Sequence, residues 1–424
     1  MRAFMRWAVP APFRVRAFRF QWPADLLTAI AFEMETIILG WWVLVETGSV
    51  LLLTVYGALH FFGTLVAPMV GVIADRIGQR RLLTGMRAIY TFLAASLMVL
   101  ALTGRMSPVA VFAIASVMAM VRASDIGVRT ALVADMMPPG ALTAAVGLSR
   151  TTGDMARIIG ALTGASVFAM FGIGLAYVVI TMFYLAGLLL TMAAAWVHDQ
   201  RDLPPPPLGA AAAPKPRRSS WSELKAGVAY VWQTPHLNAG MWLAVLVNFT
   251  AFPLSQGLLP YVARDVYHLD KQGLGILVAS FAAGALLGSL TVSAFSARLQ
   301  LGRAMIVAAV IWYALLFAFA QMTSAAGGIV TLFLAGFAQS ISMVTLAAML
   351  LRTSDTAFRG RIMGVRMLAT YSLPIGLLLF GAMIEPIGFR ATASLSALAG
   401  LALVVAIVTY WRASLWPKDA PANQ

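Results

Sequence analysis

The 424-residue chain contains no cysteine and only four histidines, so several kinds of chemistry are closed to it. Without cysteine it can form neither a disulfide nor a thiolate metal site. The histidines are scattered, and no H-E-x-x-H pair is present to bind zinc. No lysine follows a glycine, although a nucleotide-binding P-loop needs that pair. We therefore expect no metal, no cofactor and no enzymatic activity.

Charged residues are also scarce, at 11% of the chain, whereas 61% of the residues are hydrophobic and the mean hydropathy is +0.85. A water-soluble protein of this length would not disperse so much apolar surface, so the composition predicts an integral membrane protein. The net charge of +14 fits this interpretation better than binding to nucleic acid. Arginines crowd the first 20 residues, and positive charge keeps such a segment in the cytoplasm.

Apolar segments long enough to cross a hydrocarbon core of about 30 Å recur along the chain and predict twelve membrane spans. They start near residues 24, 49, 82, 107, 143, 173, 237, 273, 304, 328, 363 and 390. With the N-terminus inside, most lysines and arginines fall in connections assigned to the cytoplasm. This bias agrees with both the count and the orientation.

The longest connection divides the spans into six and six, which predicts an all-α protein made of two six-helix bundles. The linker begins with a proline-rich stretch and ends in a capping box, Ser220 to Glu223, that predicts a short helix on the inner membrane surface. The predicted segments are a basic tail (1–23), a first bundle (24–197), a linker (198–236), a second bundle (237–411) and a cytoplasmic tail (412–424).

Residues 71–81 combine two glycines with an aspartate and three arginines between apolar runs. The glycines allow a sharp turn between two helices, and the carboxylate can accept hydrogen bonds from arginine donors. A solvated basic loop that only orients the protein is the alternative. We predict a conformational latch, to which an arginine near the inner end of the fourth span also contributes. Its residues are Gly71, Asp75, Arg76, Gly78, Arg80, Arg81 and Arg129.

With the G-x-x-x-D-R-x-G-x-R-R pattern of residues 71–81, the chain resembles the major facilitator superfamily over nearly its whole length. Residues 40–49, 129–138 and 360–364 are similar to segments of the branch that includes the enterobactin exporter and macrolide efflux proteins, and 360–364 resembles the loop before its eleventh helix. Residues 156–165 lie where exporters of the superfamily carry the antiport motif G-x-x-x-G-P-x-x-G-G, with Ala161 in place of proline and Ala165 in place of the last glycine. The resemblance implies a transporter.

Charged side chains within membrane spans are expensive unless they are paired or face water, so each is a functional candidate. One face of the fourth span carries Arg122, Asp125 and Arg129, and one face of the fifth carries Arg150, Asp154 and Arg157. Each set either pins its helix to a neighbour or takes part in coupling. The first span adds two acids near its centre, where a carboxyl group can carry a proton. We predict that proton coupling involves Glu33, Glu35, Asp154 and Arg157.

Polar residues of both halves are candidates for a substrate cavity, although side chains of this kind often serve only in packing. The second half has no acid at mid-membrane, and its interior polar groups are neutral. The predicted cavity residues are His60, Arg150, Asn248, Gln256, Gln339 and Tyr371.

The sequence as a whole predicts an exporter of a small amphipathic organic compound, of drug or siderophore type, that works by proton antiport and alternating access. We expect a monomer in a bacterial cytoplasmic membrane, with both termini in the cytoplasm. A metabolite importer or facilitator, a lipid flippase and a membrane sensor without turnover are the alternatives.

Overall fold

The computed structural model describes residues 11–63, 77–199, 220–295, 299–355 and 358–415. Nearly all of these residues are helical, and the described ranges contain no β-strand. This confirms the all-α class. The reason is physical, because a segment in lipid must satisfy its backbone hydrogen bonds internally.

Thirteen α-helices of four or more residues occur in the described residues, and a three-residue helix, Leu259–Tyr261, lies between the two π-helical stretches. The helices up to residue 199 are α1 (Arg16–Thr47), α2 (Val50–Phe62), α3 (Gln79–Leu102), α4 (Pro108–Met136) and α5 (Pro139–Asp199). The later helices are α6 (Ser220–Gln233), α7 (Pro235–Thr250), α8 (Lys271–Phe295), α9 (Leu301–Gln321), α10 (Ala325–Arg352), α11 (Arg359–Ala369), α12 (Ser372–Tyr410) and α13 (Arg412–Leu415). Two π-helical stretches, Pro253–Gly257 and Val262–Val266, follow α7.

Local signals in the sequence set several helix starts. Ser107 accepts a hydrogen bond from the Ala110 amide, and Pro108 follows it at the first position of α4. Ser324 caps α10 in the same way through the Gly327 amide. A side-chain oxygen at this position satisfies one of the amides that the first helical turn leaves unpaired.

Nine helices in the described residues are long and apolar enough to cross a membrane. Two of them, Gly147–Val197 and Gly360–Tyr410, have 51 residues each and would be about 76 Å long if they were straight. The second predicted span is shorter in the described part, as Val50–Phe61, and residues 64–76 lie outside it. The count of twelve spans therefore stays a prediction.

Each of these 51-residue stretches is interrupted by a glycine, the first within α5 and the second, which covers α11 and α12, within α12. Gly172 has φ 78° and ψ 178°, and Gly388 has φ 78° and ψ 164°. Only glycine adopts this backbone conformation without strain, because a Cβ atom would clash there. Each helix thus consists of two segments, which we call the front and rear segments of α5 and α12.

The described chain forms two compact units. The first contains the described parts of residues 1–42 and 59–211, and the second contains those of residues 43–58 and 212–424. In the first unit, α3 packs along α5. In the second unit, α10 packs along both α8 and α9. Helix α12 packs against α7 and α9.

The front segment of α5 lies unusually close to α1 in the first unit. A Cβ atom on Gly160 would be 2.7 Å from the Glu33 Cβ atom and 2.9 Å from the Ile30 carbonyl oxygen. Since no larger residue fits there, the small residues of 156–165 bring the two backbones together. The contact places Glu33 of α1 against Arg157 of α5.

Gly160→Val is expected to destabilise the first unit by about 1–3 kcal/mol, because its side chain would be forced into the α1 backbone. The unfolding temperature of the purified protein in detergent measures this effect. Gly153→Ala is the matched control on the same segment. Its added Cβ atom meets nothing within 4 Å, so a loss of stability as large as that of Gly160→Val would contradict the packing argument.

The predicted linker helix is present as α6, and it packs against α11 in the second unit. A Cβ atom on Gly227 would be 3.0 Å from the Arg361 Cβ atom. Tyr230 stacks on Phe358, with ring centroids 4.4 Å apart, and its hydroxyl donates to Asp355 at 3.3 Å. Residues 360–364, which resemble a loop in sequence, lie within α11.

Candidate functional site

Glu35 of α1 is a carboxyl group buried in the interior of the first unit, with 5% of the residue exposed. The Tyr184 hydroxyl on the rear segment of α5 donates a hydrogen bond to its Oε2 atom at 3.0 Å. The Tyr177 hydroxyl, two turns earlier on the same face of this segment, also lies beside the carboxyl group. Two phenols therefore hold an acid at the centre of a predicted membrane span.

Arg122 of α4 places a guanidinium group next to this acid. It lies over the Phe32 ring of α1 in a cation–π contact. Glu33, Glu35 and Tyr184 are among its electrostatic neighbours. A positive charge and two carboxyl groups thus share one small region between α1 and α4.

Glu33 and Arg157 form the second part of the cluster. The Arg157 Nε atom is 3.9 Å from Glu33 Oε1, and both side chains are partly exposed. The close approach of α5 at Gly160 makes this pair possible. Asp154, one turn earlier on α5, is half-buried.

A buried ion pair lies near the start of α1. The Arg87 guanidinium of α3 contacts the Asp25 carboxylate, and the two side chains are 1% and 7% exposed. Gln21 donates to Asp25 at 2.7 Å, while Arg87 also donates to Thr28 Oγ1 at 3.0 Å and to the Gly187 carbonyl at 3.4 Å. This network joins α1, α3 and the rear segment of α5.

Tyr90 and Asp125 place two further polar groups between these clusters. Tyr90 is 3% exposed and Asp125 is 7% exposed. The Tyr90 hydroxyl and the Asp125 Oδ1 atom are both buried without a hydrogen-bond partner among the described residues. The two side chains are electrostatic neighbours, and the Tyr90 ring lies 5.7 Å from the Tyr184 ring.

The first unit therefore collects acids, arginines and tyrosine hydroxyls in an apolar interior. In such surroundings a carboxyl group can exchange an arginine partner for a proton with a large change in energy. Among the described residues, no three histidine, aspartate or glutamate side chains come together as a metal site. The chemistry available to the cluster is proton binding and ion-pair exchange.

The sequence profile of the transmembrane secretion effector family matches residues 8–423. The chain belongs to this family. It is a multi-pass membrane transporter of the major facilitator type.

Solved structures with a similar fold are also transporters. The nucleoside transporter NupG has 14% identity and a TM-score of 0.67, over 93% of this chain and 99% of that one. A POT family transporter in complex with 5-aminolevulinic acid has 11% identity and a TM-score of 0.72, over 94% and 96%. A bacterial homolog of the human lysosomal transporter Spinster has 14% identity and a TM-score of 0.69, over 96% and 99%. At these identities the likeness concerns the fold alone. No protein with a curated description matches the sequence.

Only part of the predicted latch lies in the described residues. Gly71, Asp75 and Arg76 fall outside them. Gly78 has φ 86° and immediately precedes α3, and glycine adopts this backbone conformation readily.

The latch arginines in the described residues lie on two helices. Arg80 and Arg81 are in the first turn of α3, and Arg81 is exposed. Arg80 lies beside Gln21 and residues of α4 and α5. Arg129 of α4 is an electrostatic neighbour of Asp25, which places it near the buried ion pair.

The predicted cavity residues are distributed over both units. In the first, the His60 ring packs edge-on against Phe32 at 5.6 Å, and Arg150 lies on α5. In the second, Asn248 donates to the Ala244 carbonyl of its own helix at 2.8 Å. Gln256 is exposed on the first π-helical stretch, while Gln339 and Tyr371 are partly buried on α10 and just before α12.

The sequence did not point to Asp25, Arg87, Tyr90, Tyr177 or Tyr184 as members of the site. A usable signal existed for one of them, since Asp25 is an acid at the start of the first predicted span. Arg87 carries no such signal, and it is fully buried in α3. The tyrosines carry no pattern that separates a site residue from packing.

Proposed function

We propose that this transporter exports a small amphipathic organic compound, of drug or siderophore type, in exchange for protons and by alternating access. The buried Glu35, held by Tyr184 and next to Arg122, is the observation that carries the proposal. Membership of a secretion family supports the direction of transport. The likeness to the enterobactin and macrolide exporters supports the class of substrate.

The proposed architecture has twelve spans in two six-helix bundles, 24–197 and 237–411, joined by a cytoplasmic linker. The two interrupted 51-residue helices support this count, because each has enough residues for two spans. We place both termini in the cytoplasm of a bacterial cell and the protein, as a monomer, in the inner membrane. The excess of arginine in the predicted inner connections supports this orientation.

Coupling needs a group that binds a proton in one state and gives it up in another. Glu35 meets this need because its neighbours include both a hydrogen-bond donor and a positive charge. It accepts a hydrogen bond from Tyr184, and the Arg122 guanidinium lies close enough to compensate its charge once the proton leaves. Glu33, paired with Arg157, is the second candidate, and Asp154 is the third.

Transport into inverted membrane vesicles tests the proposal. When respiration acidifies the vesicle interior, the exporter should accumulate an amphipathic probe, with ethidium as the cationic and fluorescein as the anionic example. An uncoupler should abolish the accumulation. Vesicles from cells without the protein provide the background.

The same assay separates the alternatives. An importer driven by protons would deplete the probe from the vesicles, and a facilitator would equilibrate it without responding to the uncoupler. A flippase would move labelled lipid between leaflets instead. Binding of a probe without any flux would indicate a sensor.

Mutation of Asp75 tests the proposed latch. Asp75→Asn should reduce the initial rate of probe export by about tenfold while the protein still reaches the membrane, because arginine donors lose their charged acceptor. Glu46→Gln, at an exposed acid near the end of α1, is the control and should leave the rate unchanged. Wild-type export by the Asp75 variant would remove the latch from the mechanism.

A further inference from the structure

Three buried side chains lead away from Glu35 through the interior of the first unit. They are Tyr184 on the rear segment of α5, Tyr90 on α3 and Asp125 on α4. Their residues are 2%, 3% and 7% exposed. Each carries an oxygen that can bind or pass a proton, although they lie on three different helices.

The first link is a direct hydrogen bond. The Tyr184 hydroxyl donates to the Glu35 carboxylate at 3.0 Å. On its other side the Tyr184 ring meets the Tyr90 ring, with centroids 5.7 Å apart and planes 39° apart. The two phenol rings are thus neighbours in the interior of the first unit.

The second link joins Tyr90 to Asp125. Both the Tyr90 hydroxyl and Asp125 Oδ1 are buried without a hydrogen-bond partner in the described ranges, and the two groups are electrostatic neighbours. Buried polar atoms in proteins are nearly always paired, either with protein or with an ordered water molecule. One water shared by the two oxygens would satisfy both, since a buried water makes two to four such bonds.

The surroundings of these groups are strongly charged. Arginines from α3 and α4 are electrostatic neighbours of Tyr90, and Asp25 is a neighbour of Asp125. Glu33 faces Arg122 from α1. The arginines that surround the phenols are Arg87, Arg122 and Arg129. Their positive charges offset the negative charge of whichever carboxylate has lost its proton.

We propose that Glu35, Tyr184, Tyr90 and Asp125 form a proton-transfer path through the first unit, which serves the proposed proton coupling and rests on it. The Asp125 carboxyl group gives its proton, through the shared water, to the Tyr90 oxygen. The Tyr90 hydroxyl proton passes to the Tyr184 oxygen through a second water, because no hydrogen bond joins the two hydroxyls in the described structure. The Tyr184 hydroxyl proton passes in turn, along its hydrogen bond, to the Glu35 carboxylate. Asp125 loses one proton, Glu35 gains one, and the tyrosines and the waters are unchanged.

Tyr90→Phe tests the path because it keeps the ring and removes only the hydroxyl. Since that hydroxyl has no protein partner in the described structure, its loss should leave the unfolding temperature near that of the wild type. A structural role for Tyr90 would lower that temperature instead. Tyr313→Phe is the matched control, because it removes a buried hydroxyl in the second unit that bonds Thr250 at 2.5 Å.

The measurement follows the two carboxyl groups directly. The full-length protein in lipid nanodiscs receives a proton pulse from a photolysed caged acid, and time-resolved infrared spectroscopy follows the carboxyl C=O bands. Glu35→Gln and Asp125→Asn assign the bands. In the wild type and in Tyr313→Phe, both groups should protonate with one shared time constant. In Tyr90→Phe the two time constants should differ by about tenfold or more, as expected when a positioned proton donor is lost.

A shared time constant in Tyr90→Phe would overturn the path. Separate time constants in the wild type, or no change at either carboxyl group, would do the same. If Tyr90→Phe did not fold, Tyr184→Phe would break the same path at the other phenol and should give the same separation. The infrared readout needs no substrate, so it is independent of the vesicle assay in which proton antiport itself succeeds or fails.

Discussion

Glu35→Gln is expected to abolish proton-driven accumulation of the probe while leaving its downhill exchange intact. A pH difference of one unit stores about 1.4 kcal/mol per proton and can sustain a solute gradient of about tenfold. Glutamine keeps the shape of the side chain and can still accept the hydrogen bond from Tyr184, but it cannot carry a proton. The gradient in the variant should therefore fall to equal concentrations inside and outside inverted vesicles, whereas exchange of labelled for unlabelled probe should continue.

Glu385→Gln is the matched control for this experiment, since Glu385 is an exposed acid on α12. It should accumulate the probe as the wild type does. Glu33→Gln and Asp154→Asn, in the same assay, distinguish the three candidate acids. Accumulation that persists in Glu35→Gln and disappears in one of the others would move the coupling site to that residue.

Loss of either partner of the Asp25–Arg87 pair is expected to cause the largest drop in stability. Arg87→Met or Asp25→Leu alone leaves a buried charge without its partner, which costs about 3–5 kcal/mol. The double variant removes both charges and should recover most of that loss, because apolar side chains of similar size can replace a buried ion pair. Thermal unfolding in detergent, followed by the fluorescence of the chain's 11 tryptophans, measures the three variants.

Arg81→Met controls for the loss of an arginine as such. Arg81 is exposed on α3, six residues before Arg87, and its replacement should change the unfolding temperature little. If the effects of Asp25→Leu and Arg87→Met simply added in the double variant, the two side chains would not act as a pair. The stability of the network that joins α1, α3 and α5 would then not depend on this ion pair.

The fold could be predicted largely from composition and spacing. Long apolar segments separated by short connections can only become helices in a bilayer, and the structure is helical at these places. The interrupted helices were harder to predict, because a single glycine such as Gly172 separates their segments without any polar connection. Hydropathy nevertheless predicts the start of a span near residue 173, one residue after this glycine. The description of residues 360–364 as a loop was wrong, because they lie within α11.

The site was predictable only where one helix carries the signal. Glu33 and Glu35 stand out in the sequence because they interrupt an apolar segment. Their partners do not stand out in the sequence. Tyr184 lies 149 residues after Glu35, and its role depends on how α5 packs against α1. Arg87 could not be predicted as a site residue. Its position on α3, six residues after the exposed Arg81, does not indicate that it is buried against Asp25.

Gly172 and Gly388 share a backbone conformation that side chains other than glycine's resist, and each divides the last long helix of its half of the sequence. Phe171 and Ile173 flank the first glycine and Ile387 and Phe389 flank the second, so neither junction contains a polar loop that could absorb a wrong backbone angle. A larger side chain at Gly172 or Gly388 would therefore change the angle between two rigid helical segments rather than a local turn.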